Sequence, residues 1–594
     1  MNAIWFMSRV TDRSWVSRFF TPRYRVPLWS IQHPDRLVYH STKSGKWEVH
    51  ARDLTHGSDR QVTDRPTGTT DFALDPCGRR IWWFDDHLGN ESGVWRVTAF
   101  EASVDPPLTP LSEPSYSTGL VLARNWELIG TSSRDMYVIY LTRAGRDPVI
   151  LHRSKSHIVP IGASSDGTYY SILRQHRGNT VLSAHGVDLN FTAELLLEGE
   201  GRLSAGPWSP VENDHRMVAT LHSEDDTELI VWEPVGQNIQ RFPLRLPGEN
   251  RCLDWFPDGG SVLIRNQHRG YSSLYRLYLS SGDLLRHSLP PGTVSDARVR
   301  PNGEVWLSWS DSRTAESVHT GTIQFDMAST EPMPINTPYT ELTVGDIHGF
   351  LGLPSGDGPH PAVFLLHGGP FTHDSDSYNP QAQAWLDRGF AVVLVNYRGS
   401  TGYGSTWRTS IIGDPGSREL ADIDTVREHL VASGVVDEHR IILSGHSWGG
   451  YLALLAAGTQ PTTWSLIIAE APVADYIAAF QEEMESLRQL DILIFSGTPQ
   501  TQPELYRERS PITHAQRIIA PILLLASRFD PRCPLGQVQN FADRLDQLGA
   551  TFELQCLDIG HGAHAMRDAV RKIELQFAFA KRYLPSDLDA LGPA

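Results

Sequence analysis

Gly445-His446-Ser447-Trp448-Gly449-Gly450 places a serine in the spacing G-x-S-x-G, with one glycine more. At a sharp turn from strand to helix such a serine takes a strained backbone, and flanking side chains larger than hydrogen would collide with neighbouring chain. The run RIIL (440–443) precedes the motif and YLALLAA (451–457) follows it. A strand-forming run before and a helix-forming run after are the context in which this turn exposes a nucleophilic hydroxyl.

A serine hydroxyl is a poor nucleophile near neutral pH, so Ser447 needs a base, and the base needs a carboxylate to hold its tautomer. On a strand-turn-helix scaffold the chain order is Ser, then Asp or Glu, then His. Asp530 ends the apolar run PILLLASRFD (521–530), and His561 follows TFELQCLDIG (551–560) within Gly560-His561-Gly562. Glycines on both sides of His561 suit a tight loop. His564, in GAHAM on the opening turn of the last helix, is the rival base and ranks below it as a surface or packing histidine. Attack on a carbonyl produces an oxyanion, which requires preorganised N–H donors. His367-Gly368-Gly369-Pro370 follows AVFLL (362–366) and has the form of an oxyanion loop, with Gly369 the expected donor and the Trp448 N–H the second.

These residues need strands to carry them. AVFLLHG (362–368), AVVLVNYRG (391–399), RIILSGHS (440–447), WSLIIAEAP (464–472) and PILLLASRFD (521–530) are apolar runs of the kind that form buried parallel strands. Amphipathic stretches such as AQAWLDRG (382–389) and ELADIDTVREHLVASG (419–434) lie between them, and together they predict a doubly wound α/β domain over 336–594. Residues 28–335 have a different grammar. Turns at His33-Pro34, Asp75-Pro76, Ser165-Asp166-Gly167, Ser209-Pro210, Phe256-Pro257-Asp258-Gly259 and Arg300-Pro301-Asn302-Gly303, with an unmarked unit near Leu122 to Asn125, recur every 42 to 47 residues or so. Strand-like runs such as RRIWWF (79–84), MYVIYL (136–141), ELIVWEP (228–234) and SLYRLYL (273–279) fall between them. That period suits four-stranded blades, so an all-β propeller of about seven blades is expected, preceded by an N-terminal segment, 1–27.

With 40% hydrophobic residues the chain can bury substantial cores, and a formal net charge of −17 without a dense basic run argues against nucleic-acid or anionic-membrane partners. The opening MNAIWFMSRVTDRSWVSRFF is interrupted by Arg9, Asp12 and Arg13, unlike a secretory leader, and no later stretch reads as a membrane span. Cys77, Cys252, Cys533 and Cys556 are scattered, with no CxxC pair, which fits a reducing cytoplasm. No cluster of His, Cys and carboxylates has ligand spacing in the sequence, so no metal or cofactor is expected.

The two halves together resemble the prolyl oligopeptidase family of serine peptidases, a propeller fused to an α/β-hydrolase. The resemblance rests on HGGP (367–370), NYRGSTGYG (396–404), GHSWGGY (445–451), ELYRERSPI (504–512), FDPRCP (529–534) and GHG (560–562), and within the family it is nearest the acylaminoacyl-peptidase and dipeptidyl-peptidase branches. It implies Ser447, Asp530 and His561 as the triad, Arg532 as donor to a substrate carbonyl upstream of the cleaved bond, and Val473, Tyr476, Trp448 and Cys533 as walls of an apolar side-chain pocket. Trp448 stands where the family often carries tyrosine or histidine. No glutamate pair clearly matches the amine anchor of the dipeptidyl peptidases; Glu198 and Glu200 are the candidates. The expected activity is hydrolysis of short peptides or N-terminal (acyl-)aminoacyl amides through an acyl-enzyme. The alternatives are a hydrolase or acyl transferase acting on a small amide or ester, and a non-catalytic propeller interaction protein. The oligomeric state is left open.

Overall fold

The computed structural model describes residues 14–584 except 103–105, 134–135, 177–178, 198, 200, 225, 321–322, 325–334 and 563. Glu198 and Glu200 therefore lie outside the described residues.

Between Leu28 and Gln324 the strands pair antiparallel in chain order. Five sheets have four strands, and a seven-stranded sheet from Phe72 to Ser154 is two blades joined only at Ser92–Tyr116 and Gly93–Ser115. The described residues thus form seven blades. The marker turns all serve one purpose, joining the first strand of a blade to its second. Gly78, Gly167, Gly259 and Gly303 have φ of 65°, 73°, 64° and 85°. The N–H of each donates at 2.8–3.0 Å to the carbonyl three residues earlier, on Asp75, Ser164, Phe256 and Arg300. Only glycine takes this left-handed position without strain, so the turn spacing in the sequence is the blade spacing. Alternation does the rest: in Met136–Arg143 the side chains of Tyr137, Ile139 and Leu141 are buried between blades. At the ring closure Tyr24 and Val26, just before the first blade, and Leu37 and Tyr39 within it pack on Trp306 and Val318 of the last, the Tyr24 N–H donates to the Glu316 carbonyl at 3.0 Å, and Arg300 lies over Trp29 and Trp306.

The hydrolase sheet has eight strands: β1 (Tyr339–Val344), β2 (Ile347–Gly352), β3 (His360–Leu366), β4 (Ala391–Asn396), β5 (Val436–His446), β6 (Leu466–Glu470), β7 (Ile522–Ser527) and β8 (Phe552–Leu557). Their order is β1-β2-β4-β3-β5-β6-β7-β8. The pairs β1–β2 and β2–β4 are antiparallel; the others are parallel. β4 and β7 are buried at every position, which explains why they read as unbroken apolar runs. The hairpin β1–β2 was not foreseen, because YTELTV and IHGFLG mix polar and apolar residues, as suits an edge. One face is covered by the helices Ser417–Ala432, Trp448–Thr459 and Leu535–Gln547, the other by Pro380–Asp387 and Met566–Tyr583. Trp15 and Phe19, which precede the propeller in sequence, pack with Trp385 and Phe577 on that second face, and Arg18 pairs with Asp387.

The propeller meets the hydrolase at several places, among them a bridge between Lys46 and Ala565. Gly270 lies against Phe350, where a Cβ would come within 2.5 Å of the ring, and its carbonyl accepts the Asp376 N–H at 3.0 Å. On the other side the 87–91 loop reaches the loops bearing Asp530 and His561, with His87 edge-on to Phe529 at 5.8 Å. No described helix is long and apolar enough to cross a membrane.

Candidate active site

Ser447 sits between β5 and the helix Trp448–Thr459 with φ 57° and ψ −118°, a conformation a non-glycine residue keeps only where its surroundings enforce it. Its N–H donates to the Glu470 carbonyl at 2.9 Å and its carbonyl accepts from Tyr451 at 2.9 Å. The surrounding glycines are steric requirements. A Cβ at Gly445 would lie 2.3 Å from the Gly449 backbone, one at Gly449 2.2 Å from the Leu366 carbonyl oxygen, and one at Gly450 2.9 Å from that of Glu470.

Asp530 and His561 arrive from the C-terminal ends of β7 and β8. His561 Nδ1 donates to Asp530 Oδ2 at 2.8 Å, and Asp530 Oδ1 accepts the N–H groups of Arg532 and Cys533, each at 2.8 Å. A buried carboxylate with both oxygens engaged holds the imidazole in one tautomer and orientation, as an acid–base residue requires. His446 contributes a brace that sequence reasoning missed. Its Nε2–H donates to the His561 carbonyl at 2.8 Å, and the two rings lie 4.8 Å apart, which ties the base loop to the elbow. Burial, reinforced by His561 and Lys572, holds His446 well below the ordinary imidazole range, so it serves as a neutral donor. Behind it Glu470 is buried against Lys572 and Gln576; burial raises its pKa, but those partners outweigh that and keep it ionised.

His564 is not on the surface: it sits against the propeller, its carbonyl accepting the Trp47 N–H at 3.3 Å and its Cβ close to Gly68. It also precedes the last helix, Met566–Tyr583, by two residues. The glycine before His561 has a different reason from the one expected. Gly560 is not left-handed; a Cβ there would lie 1.8 Å from the Gly89 carbonyl oxygen of the propeller, so it is close domain approach that demands glycine.

Gly368 runs beside the nucleophile, where an added Cβ would be 3.3 Å from that of Ser447, and Gly369 has φ 124°, so the HGGP loop does flank the elbow. His367, stacked on Tyr397 and bonded to Ser400, anchors the loop, and burial pushes its pKa down to about 4. Trp448 opens its helix, where N–H groups lack intrahelical partners. Val473, Tyr476, Trp448 and Cys533 are all buried in one apolar cluster, with Trp448 and Tyr476 ring centroids 6.4 Å apart. Arg532 is held from the propeller: Nε and Nη2 meet the two Glu91 carboxylate oxygens at 2.7 and 3.1 Å. Glu91 has no sequence mark, since its role depends on how the domains dock. Cys533 is 5% exposed; burial pushes its thiol well above the usual range, with Asp530 and Glu483 adding to the effect. The fold also makes a cluster invisible in the sequence, because one donor atom each of Asp530, Cys533 and His561 lie within 4.8 Å of one another.

Residues 376–587 match the prolyl oligopeptidase family. Over 227 residues the chain is 29% identical to dipeptidyl peptidase family member 6 of Caenorhabditis elegans, covering 36% of this chain and 30% of that protein. Over 271 residues it is 30% identical to the acylamino-acid-releasing enzyme of Rattus norvegicus, covering 43% of this chain and 35% of that one. The matches thus span about a third of the length of these relatives. Over the whole chain the fold is similar to the acylaminoacyl peptidase of Pyrococcus horikoshii, at 15% identity and TM-score 0.73, covering 97% of this chain and 99% of that one. The strained serine and the aspartate–histidine pair all lie within residues 376–587, the part of the chain that matches the prolyl oligopeptidase family.

Proposed function

We propose that the chain is a serine peptidase that hydrolyses short peptides or N-terminal (acyl-)aminoacyl amide bonds. The observation that carries this reading is the 2.8 Å bond from His561 Nδ1 to Asp530 Oδ2 on loops joined to the Ser447 elbow through His446. Ser447 Oγ attacks the carbonyl while His561 takes the hydroxyl proton, and the backbone N–H groups of Gly369 and Trp448 receive the oxyanion. His561 then protonates the leaving amine, the acyl-enzyme forms, and water activated by the same imidazole releases the acid and restores Ser447. Arg532 offers its remaining guanidinium donors to the upstream substrate carbonyl, and Val473, Tyr476, Trp448 and Cys533 receive the side chain before the cleaved bond. The propeller, domain 28–335, covers the hydrolase domain, 336–594, so substrates are short. Four free cysteines fit action in the cytoplasm.

A panel of aminoacyl, dipeptidyl and N-acyl-aminoacyl chromogenic amides tests the proposal. Turnover of at least one class, abolished by Ser447→Ala, supports it. Hydrolysis of simple aryl esters with no amide cleaved would overturn the peptidase reading in favour of an esterase.

A further inference from the structure

We propose that Cys533, His561 and Asp530 form an inhibitory site for a thiophilic divalent cation such as zinc, so that metal occupancy and catalysis exclude one another. The three residues supply sulfur, nitrogen and oxygen, the donor set of borderline-soft cations, whereas magnesium and calcium favour oxygen alone. Their donor atoms lie within 4.8 Å of one another. Zinc–ligand bonds of about 2.0–2.3 Å in a tetrahedron put donors about 3.3–3.8 Å apart, so side-chain adjustments of about an ångström bring the set onto one ion.

The local backbone favours closure. Cys533 follows Asp530 by three residues, and the N–H groups of Arg532 and Cys533 both bind Asp530 Oδ1, which fixes the carboxylate and thiol on one short loop. His561 enters from the other loop, already bonded to the carboxylate. Cys533 is 5% and Asp530 7% exposed, so a bare thiolate there would be an uncompensated buried charge beside a carboxylate. A divalent cation neutralises both. On binding, the S–H bond breaks, its proton leaves to solvent, and sulfur bonds the metal. The imidazole stays neutral, with its one proton on the nitrogen the metal does not hold. An imidazole nitrogen committed to metal cannot perform its part of the relay, so inhibition follows and is reversed by a chelator. Among the described residues Asp530, Cys533 and His561 are the one such three-donor group, and Cys77, Cys252 and Cys556 belong to none.

The inhibition arm of the test rests on the peptidase reading; the binding arm does not. In the binding arm, cobalt(II) is titrated into full-length Ser447→Ala, which keeps all three ligands, and absorbance from thiolate-to-cobalt charge transfer is followed. The band is expected in Ser447→Ala and lost when Cys533→Ala or His561→Ala is added. In the inhibition arm, zinc chloride is titrated against hydrolysis, each protein normalised to its own metal-free rate. Cys533→Ala is expected to raise the half-inhibiting zinc concentration by about tenfold or more, the scale on which losing a metal contact weakens affinity. EDTA is expected to restore the unsubstituted protein, and magnesium at equal concentration to leave it active. A cobalt band that survives Cys533→Ala, no band at all, or equal zinc inhibition with and without the thiol would each overturn the proposal. No turnover with the cobalt band present would instead count against the peptidase reading alone.

Discussion

Arg532 of the hydrolase and Glu91 of the propeller form a two-pronged ion pair, at 2.7 and 3.1 Å, two residues from Asp530. Glu91 holds this position from a left-handed backbone, φ 59°. The arginine is therefore aimed by the propeller. If it serves substrate, Arg532→Ala should lower kcat/KM for peptide amides by about tenfold or more and that for simple aryl esters much less, since only the former present an upstream carbonyl. Glu91→Ala, which frees the guanidinium without removing it, should show the same ordering with a smaller loss. Equal losses on both substrate kinds would make the pair an interdomain tie only.

His561→Ala is expected to reduce turnover by several decades, on the order of 10³-fold or more, as removal of a triad base does. His564→Ala should stay within about threefold in kcat, because that residue touches Gly68 and Trp47, not Asp530. Steady-state kinetics of the two variants, with circular dichroism to confirm folding, decide the matter; the reverse ranking would move the base.

The elbow was legible in the sequence because its glycines answer to backbone crowding, Gly445 against Gly449 within the turn and Gly449 against Leu366 of the adjoining strand, and so recur at fixed spacing around the serine. Asp530 was legible because it follows an apolar run that the sheet buries at every position, and His561 because it follows the next strand in chain order within a Gly-His-Gly loop. The blades could be counted because one turn chemistry repeats in them, with Gly78, Gly167, Gly259 and Gly303 as its marks. What could not be read depends on packing between distant segments. Glu91 meets Arg532 across 441 residues of chain, His446 braces His561 across 115, and Trp15 docks on a helix near the far end. Neither periodicity nor motif encodes such pairings.

Gly560 offers a test of the domain contact. With only 1.8 Å from an added Cβ to the Gly89 carbonyl oxygen, Gly560→Ala must displace either the propeller loop or the base loop. We expect kcat/KM to fall by about tenfold or more while the melting temperature of the hydrolase changes little. Gly89→Ala, at a left-handed residue facing the Gly560 backbone, should act in the same direction. Unchanged activity in Gly560→Ala would show that the propeller does not constrain the base.

Acid should unfold the protein early. Burial is the first cause holding His40 down to about 3 and His50 and His367 to about 4, with neighbouring cations adding to it for His40 and His50. Unfolded, each takes up its proton near pH 6.5 or so. Between that pH and the depressed values the unfolded chain binds protons that the folded chain refuses. Stability is therefore full above about pH 6.5 and falls as pH drops toward about 4, by up to about 1.4 kcal/mol per pH unit for each histidine. Thermal melts across that range should show a steady decline, shallower in His50→Gln. A melting temperature independent of pH from 7 to 4 would contradict the assignment of these imidazoles as neutral.

If Ser447 is the nucleophile of a triad with His561 and Asp530, covalent labelling reads it most directly. The purified protein is treated with a fluorophosphonate, digested, and the adduct located by mass spectrometry. We expect one phosphonyl group, on Ser447, formed in step with loss of hydrolysis, absent in Ser447→Ala and strongly slowed in His561→Ala. Full activity after stoichiometric labelling elsewhere, or an unlabelled Ser447 in a protein that still turns over substrate, would contradict the account.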